Sequence, residues 1–261
     1  MNDLILKTTN LTIGYLSKKH ENIIATNLNL TLKRGELTAL IGANGIGKST
    51  LLKTLTGIQK PLSGKIEVDQ QNLNTYHLLD LAQKMSVVLT EKLPPSQLTV
   101  FEIVALGRQP YTNWIGKLSD LDVLHITKAL QDTQIQHLQS LKHHELSDGQ
   151  LQKVLIARAL AQNTPVIILD EPTTHLDLQH KVSVFRLLKK LASENQKAIL
   201  FSTHDIDLAI QVSDQMILMT PKNIQQDQPC NLIAQGAFDL LFNDKNIVFD
   251  QQKGKFILEN I

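Results

Sequence analysis

The chain has 261 residues, 42% of them hydrophobic and 20% charged, with a formal net charge of +1. That length can bury a substantial core, and the near-neutral balance removes any electrostatic argument for nucleic acid or an anionic surface as partner. The single cysteine, Cys230, has no intramolecular partner and matches neither a zinc cluster nor a redox pair, which fits a reducing cytosol.

Met1 to Tyr15 lacks a signal peptide's basic start and continuous apolar centre, and no apolar stretch approaches the roughly 18 residues a spanning helix needs. Any membrane role is therefore expected to run through a partner. Leu4 to Lys33, with alternating Leu11/Ile13/Tyr15 and Leu28/Leu30/Leu32, predicts antiparallel strands. Leu37 to Ile41 reads as a buried strand, and Lys48 to Gly57 as a helix closed by glycine. Between Thr90 and Ala161 the pattern changes. Val100 to Leu106, Leu121 to Leu130 and Gln150 to Leu160 carry helical spacing, which predicts a helical lobe inserted into an α/β core. Val166 to Leu169 and Ala198 to Phe201 are short apolar runs followed by polar residues, as in a largely parallel sheet whose ligands gather at the carboxyl ends of its strands. Phe242, Ile247, Phe249 and Phe256, set among polar residues, predict a small terminal extension packed on the core. The expected division is a nucleotide-binding core over 1–89 and 162–220, a helical region over 90–161 and the extension over 221–261.

Three segments carry chemistry. Gly42-Ala43-Asn44-Gly45-Ile46-Gly47-Lys48-Ser49 lies between a strand and a helix and reads as a phosphate-binding loop. Its glycines let backbone N–H groups close around phosphate oxygens, Lys48 contacts the β and γ phosphates, and Ser49 reaches Mg²⁺. Gly42, Asn44, Gly45, Gly47 and Thr50 complete the cradle at a helix N-terminus, where the dipole favours anions. Val166-Ile167-Ile168-Leu169-Asp170-Glu171-Pro172 ends a buried strand in two acids. Burying unpaired charge is costly, so a cation or a catalytic task is expected there. In Leu146-Ser147-Asp148-Gly149-Gln150, Ser147 and Gly149 lie where a helix starting near Gln150 exposes free N–H groups, suited either to a second phosphate or to simple capping.

Taken together, the three segments resemble the ATPase subunit of ATP-binding cassette (ABC) transporters, the middle one corresponding to that family's signature motif. The resemblance implies a P-loop ATPase of α/β class with a mostly parallel sheet, an N-terminal antiparallel β subdomain and an inserted helical subdomain. It implies that Asp170 holds Mg²⁺, that Glu171 orients or deprotonates the attacking water, and that His204 after the strand is the switch histidine at the γ-phosphate. Thr174-His175-Leu176-Asp177 matches the loop that passes between subunits, the ordinary alternative being a helix N-cap region. Ser147 and Gly149 would meet ATP on the opposite copy of a homodimer. Tyr15 stands where the family stacks an aromatic on adenine, although a packing role is also open. Two departures stand out: Asp148 replaces the usual signature glycine, and Thr90 occupies the place of the usual glutamine at the lobe entrance, with Gln83 and Gln97 out of register.

Leu98 to Tyr111, ending Gly107-Arg108-Gln109-Pro110-Tyr111, is similar to the lobe of cassettes that energise uptake of iron–siderophore complexes, haem and cobalamin. The resemblance implies permease subunits, touched through Tyr111 and Trp114, a substrate-binding protein in the same system, and a place on the cytoplasmic face of the membrane. Two other readings are a soluble ABC ATPase acting on nucleic acid or ribosomes, and a regulatory subunit with weak catalysis. The single cassette without a long coiled coil argues against the first, and intact Lys48, Glu171 and His204 argue against the second.

Overall fold

The computed structural model describes residues 3–16, 21–89, 96–174, 176–241, 246–251 and 254–258. Three strands open the chain: β1 (Leu4–Leu16), β2 (Glu21–Leu28) and β3 (Thr31–Lys33). Leu11, Ile13, Leu28, Leu30 and Leu32 are buried as their alternation predicts, whereas Tyr15 is 49% exposed. The wholly buried β4 (Leu37–Gly42) leads into α1 (Lys48–Leu55), which ends ahead of Gly57 in a left-handed conformation. β5 (Ser63–Val68) and β6 (Gln71–Asn72) follow, then α2 (Leu78–Ala82) and β7 (Met85–Val88).

The predicted helical region contains α3 (Val100–Ala105), α4 (Asp120–Asp132) and α5 (Asp148–Ala161). Each starts at a reciprocal cap in which a hydroxyl and a residue three positions on satisfy each other's N–H groups: Thr99 with Glu102, Ser119 with Asp122, and Ser147 with Gln150. Asp122 also forms a buried ion pair with Arg108 at 2.8 Å, and Arg108 donates to the Ala161 carbonyl at 2.7 Å, tying α4 to the end of α5. The chain then alternates β8 (Val166–Leu169), α6 (Leu178–Asn195), β9 (Ala198–Ser202), α7 (Ile206–Val212) and β10 (Gln215–Met219). β11 (Ile224–Asp227), α8 (Pro229–Ala234), β12 (Ile247–Asp250) and β13 (Lys255–Leu258) close it.

Two sheets result. One is antiparallel, ordered β2-β1-β5-β6 with β3 also on β1. The other is ordered β11-β10-β4-β9-β8-β7, parallel except for β11. β4, β8 and β9 are buried along their whole length. Their continuous apolar runs follow from this, because both faces of the sheet are covered. Leu37, Ala39 and Ile41 of β4 join the core shared with α5 and α6, while Leu40 joins the core shared with β1 and α1. Leu40 pairs with Ser202 and Leu169 with Phe201, so the carboxyl ends of β4, β9 and β8 lie side by side. The loops that leave those ends carry the candidate site. In the terminal extension Phe238 stacks on Phe249 at 4.6 Å, and Phe256 meets Phe249 edge-on at 5.0 Å. Phe242 and the side chain of Ile247 lie outside the described residues. Among the described residues, no helix is long and apolar enough to cross a membrane.

Candidate functional site

The loop after β4 wraps the N-terminus of α1. Gly47 caps this helix at φ +111°, and a Cβ there would lie 2.3 Å from Ile24 Cγ2, so any other residue would be strained and would have to displace Ile24. Lys48 is buried and its ammonium folds over the loop, donating to the Gly42 carbonyl at 2.9 Å and the Ala43 carbonyl at 3.2 Å. An ammonium has three donors, which leaves one for a phosphate. Burial pushes the Lys48 pKa down, opposed by the charges of Glu171 and Asp170. A cavity of about 750 Å³ opens over the loop, lined by Asn44 to Thr50 together with Tyr15, Asn22, Ile24 and Glu171. The Tyr15 hydroxyl bonds the Thr50 hydroxyl at 2.8 Å, which fixes its half-exposed ring at the cavity rim.

The two acids after β8 are joined by a residue that sequence reasoning missed. The fully buried Ser202, at the end of β9, donates to Asp170 Oδ1 at 2.6 Å and accepts from the Glu171 N–H at 2.8 Å. Glu171 itself has φ +50°, a conformation that costs a non-glycine residue roughly 1 kcal/mol or more and that clusters at functional sites. Its carboxylate is held on both sides. His204 Nε2 lies 2.6 Å from Oε1, and the Thr174 hydroxyl donates to Oε2 at 3.0 Å. Asp205 anchors the next turn through the Thr173 hydroxyl at 3.2 Å and Lys181 at 2.8 Å. The signal for Ser202 was available in the pairing of β9 beside β8, which only the folded sheet supplies.

Ser147 is the N-cap of α5, its hydroxyl accepting from the Gln150 N–H at 3.3 Å. Helix geometry leaves the N–H groups of the first turn free of intrahelical partners. Asp148, the departure from the signature pattern, is exposed in that first turn, where the helix dipole favours a negative charge. Asp177 caps α6, accepting from the His180 N–H at 2.9 Å. Hydrogen bonds from the His180 N–H and ring hold its pKa down. Neither Ser147, Gly149 nor Asp177 lines the cavity over the phosphate loop of the same chain. Thr90 lies outside the described residues, as does His175. Gln97 accepts from Lys142 at 3.1 Å and Gln83 donates to the Pro110 carbonyl at 3.2 Å, so both have partners outside the phosphate-loop cavity.

Residues 25–174 match the family model for ABC transporters. The chain belongs to the ABC transporter family. It is an ATPase of that family, with the ABC cassette fold. An ABC transporter ATP-binding protein of Methanocaldococcus jannaschii is 40% identical over 98% of this chain and 87% of its own. The iron(3+)-hydroxamate import ATP-binding protein FhuC of Bacillus subtilis is 34% identical over 93% of this chain and 98% of its own. Among solved structures, a metal-chelate type ABC transporter in an inward-facing conformation superposes with a TM-score of 0.79 at 31% identity, covering 92% of this chain and 89% of that one. The cassette MJ0796, solved as a dimer, has a TM-score of 0.73 at 29% identity over 86% of this chain and 99% of its own.

As an ABC ATPase the chain binds ATP, and its donor set fits a Mg²⁺ that arrives with the nucleotide. Among the described residues no group of three or more His, Cys, Asp or Glu side chains forms a metal site by itself. Mg²⁺ in nucleotide enzymes keeps waters and phosphate oxygens as ligands and needs only one or two protein groups. Asp170, at the carboxyl end of β8, and Ser49, after Lys48, are residues of the type that would hold it.

Proposed function

We propose that this chain is the ATP-hydrolysing subunit of an importer for an iron–siderophore complex or a related metal chelate. The observation that carries the cargo is the set of relatives matched over nearly the whole chain, which includes FhuC and the achromobactin transport ATP-binding protein CbrD of Dickeya dadantii, 36% identical over 92% of this chain and 88% of its own. A soluble role on nucleic acid finds no counterpart in them. The chain would work against permease subunits on the inner face of the cell membrane, with a substrate-binding protein in the same system. Tyr111, held under Arg108 at 3.9 Å, and Trp114, 93% exposed, are the proposed permease contacts. Deleting the gene should abolish uptake of labelled ferric siderophore, and a plasmid copy should restore it unless it carries Glu171→Gln. Uptake at the parental rate in the deletion strain would remove the cargo assignment.

The same reading assigns the chemistry. Backbone N–H groups of Gly45, Gly47 and Lys48, with the Lys48 ammonium, bind the phosphates, and Tyr15 stacks on the base. Ser49 and Asp170 would hold Mg²⁺, which would supply charge neutralisation for the phosphates. Glu171 orients the attacking water and takes its proton, and His204 shifts from Glu171 towards the γ-phosphate. Ser147 and Gly149 serve the nucleotide of a second copy, which their absence from their own chain's cavity supports. Asp177 approaches the same interface. Glu171→Gln should bind ATP and accumulate as a closed dimer with two nucleotides, because each copy contributes two half-sites about a two-fold axis. Sedimentation with ATP and Mg²⁺ checks this, and a variant that hydrolyses at the parental rate would end the assignment of Glu171.

A further inference from the structure

The two loops proposed to reach a second copy meet each other inside one chain, at His180. This residue lies in the first turn of α6. Its Nδ1 is 2.8 Å from Asp177 Oδ1, the same oxygen that accepts the His180 backbone N–H at 2.9 Å. The far edge of the ring faces the start of α5. A Cβ placed on Gly149 would lie 2.7 Å from His180 Cδ2, 3.2 Å from Cγ and 3.4 Å from Nε2. The imidazole thus occupies the space in which a side chain at 149 would stand, and Gly149 is buried although Ser147 and Asp148 beside it are exposed. Bonding to Asp177 fixes the ring's rotamer, and the fixed ring in turn sets how far the Ser147–Gly149 turn can shift towards α6.

We infer that His180 is a positioning residue that locks the signature turn to the Asp177 loop, so that both present themselves to the opposite copy as one preorganised surface. The inference rests on the shared-site reading above. Helix capping alone does not account for the side chain. Asp177 caps α6 through a backbone N–H that any residue at 180 supplies, so the cap survives His180→Ala and only the ring between the loops is lost. Without the ring, the signature turn must be ordered during dimer closure instead of before it, and that cost falls on association rather than on nucleotide binding within one chain.

The test uses the full chain carrying Glu171→Gln, with sedimentation as a function of protein concentration at saturating ATP and Mg²⁺. Adding His180→Ala is expected to weaken the dimer by about tenfold, while the affinity of the monomer for a fluorescent ATP analogue and the Tm stay close to those of the parent. His180→Asn, which keeps a donor for Asp177 but lacks the ring edge against Gly149, is expected to dimerise as weakly as the alanine variant. In the hydrolysing chain His180→Ala should lower kcat and leave KM for ATP near its original value. If Glu171→Gln alone stays monomeric, the shared-site reading fails. If it dimerises and either His180 substitution leaves the dimer constant unchanged, the positioning role is overturned. A loss of monomer ATP affinity or Tm as large as the loss of dimer would assign His180 to folding and overturn it equally.

Discussion

A single hydroxyl organises the acid pair at the end of β8. Ser202 both donates to Asp170 and accepts from the Glu171 N–H, and it does so where no water reaches it. Removing it takes a donor from a carboxylate proposed to hold Mg²⁺ and frees the backbone that keeps Glu171 at its positive φ. Ser202→Ala should therefore cost about 1–3 kcal/mol of stability and lower Mg²⁺ affinity or turnover about 10- to 100-fold. Ser202→Thr, which restores the hydroxyl, should recover most of both. Denaturant titration and the Mg²⁺ dependence of hydrolysis measure these effects, and an alanine variant with the parental Mg²⁺ dependence would show that the hydroxyl only fills space. Lys48, Asp170 and Glu171 announced themselves in the sequence because a lysine after glycines, or two acids after an aliphatic run, makes little sense as packing. Ser202 did not, since a serine at the end of a strand is ordinary until the neighbouring strand is known. Tyr15 was legible as one of two alternatives, stacking or packing, and its bond to Thr50 places the ring at the cavity.

The helical region depends on a buried charge pair. Arg108 and Asp122 are both almost fully buried, and Asp122 also accepts from the Ser119 hydroxyl and backbone N–H at 2.6 and 2.9 Å. Burial by itself raises the Asp122 pKa, but the Ser119 hydrogen bonds and the Arg108 charge more than offset it and hold the carboxyl at about 2. A depressed carboxyl contributes stability that is complete above its unfolded value near 4 and is lost as pH falls through the folded value, so the α4 packing should weaken between about pH 4 and pH 2. Asp122→Ala leaves the Arg108 charge buried without its partner and should cost about 3–5 kcal/mol at neutral pH. The variant should also lose the acid limb contributed by this group, which chemical denaturation across pH can resolve. A neutral-pH loss under 1 kcal/mol, on the order of an exposed pair, would contradict the buried assignment. Periodicity located α3, α4 and α5 to within a few residues because each buries one face and opens on a recognisable cap. It could not show that Arg108, set in a Gly-Arg-Gln-Pro-Tyr turn, reaches across to α4 and α5, because a partner separated by a loop leaves no periodic trace.

At the scale of the whole molecule the proposed site extends beyond one chain. The cavity over the phosphate loop is lined by one chain's Tyr15, residues 44–50 and Glu171, while the signature turn and the Asp177 loop lie outside it. On the shared-site reading, Ser147, Gly149 and Asp177 must then come from a second copy. With a formal net charge of +1, long-range attraction or repulsion between copies is weak, so on the shared-site reading association would be governed by the nucleotide and by the preorganisation of the two loops. This gives the isolated chain a kinetic signature. If only dimers hydrolyse, the total rate at saturating ATP should rise roughly as the square of protein concentration while monomer dominates, and become linear once dimer dominates. Adding inert Glu171→Gln chains should then draw active copies into mixed dimers, so the activity per active chain depends on how much inert chain is present. Steady-state assays on serial dilutions, run beside sedimentation of the same samples, test both effects. Activity strictly proportional to concentration through a range in which sedimentation finds monomer would mean that one chain completes its own site, and the division of labour between the phosphate loop and the signature turn would have to be abandoned.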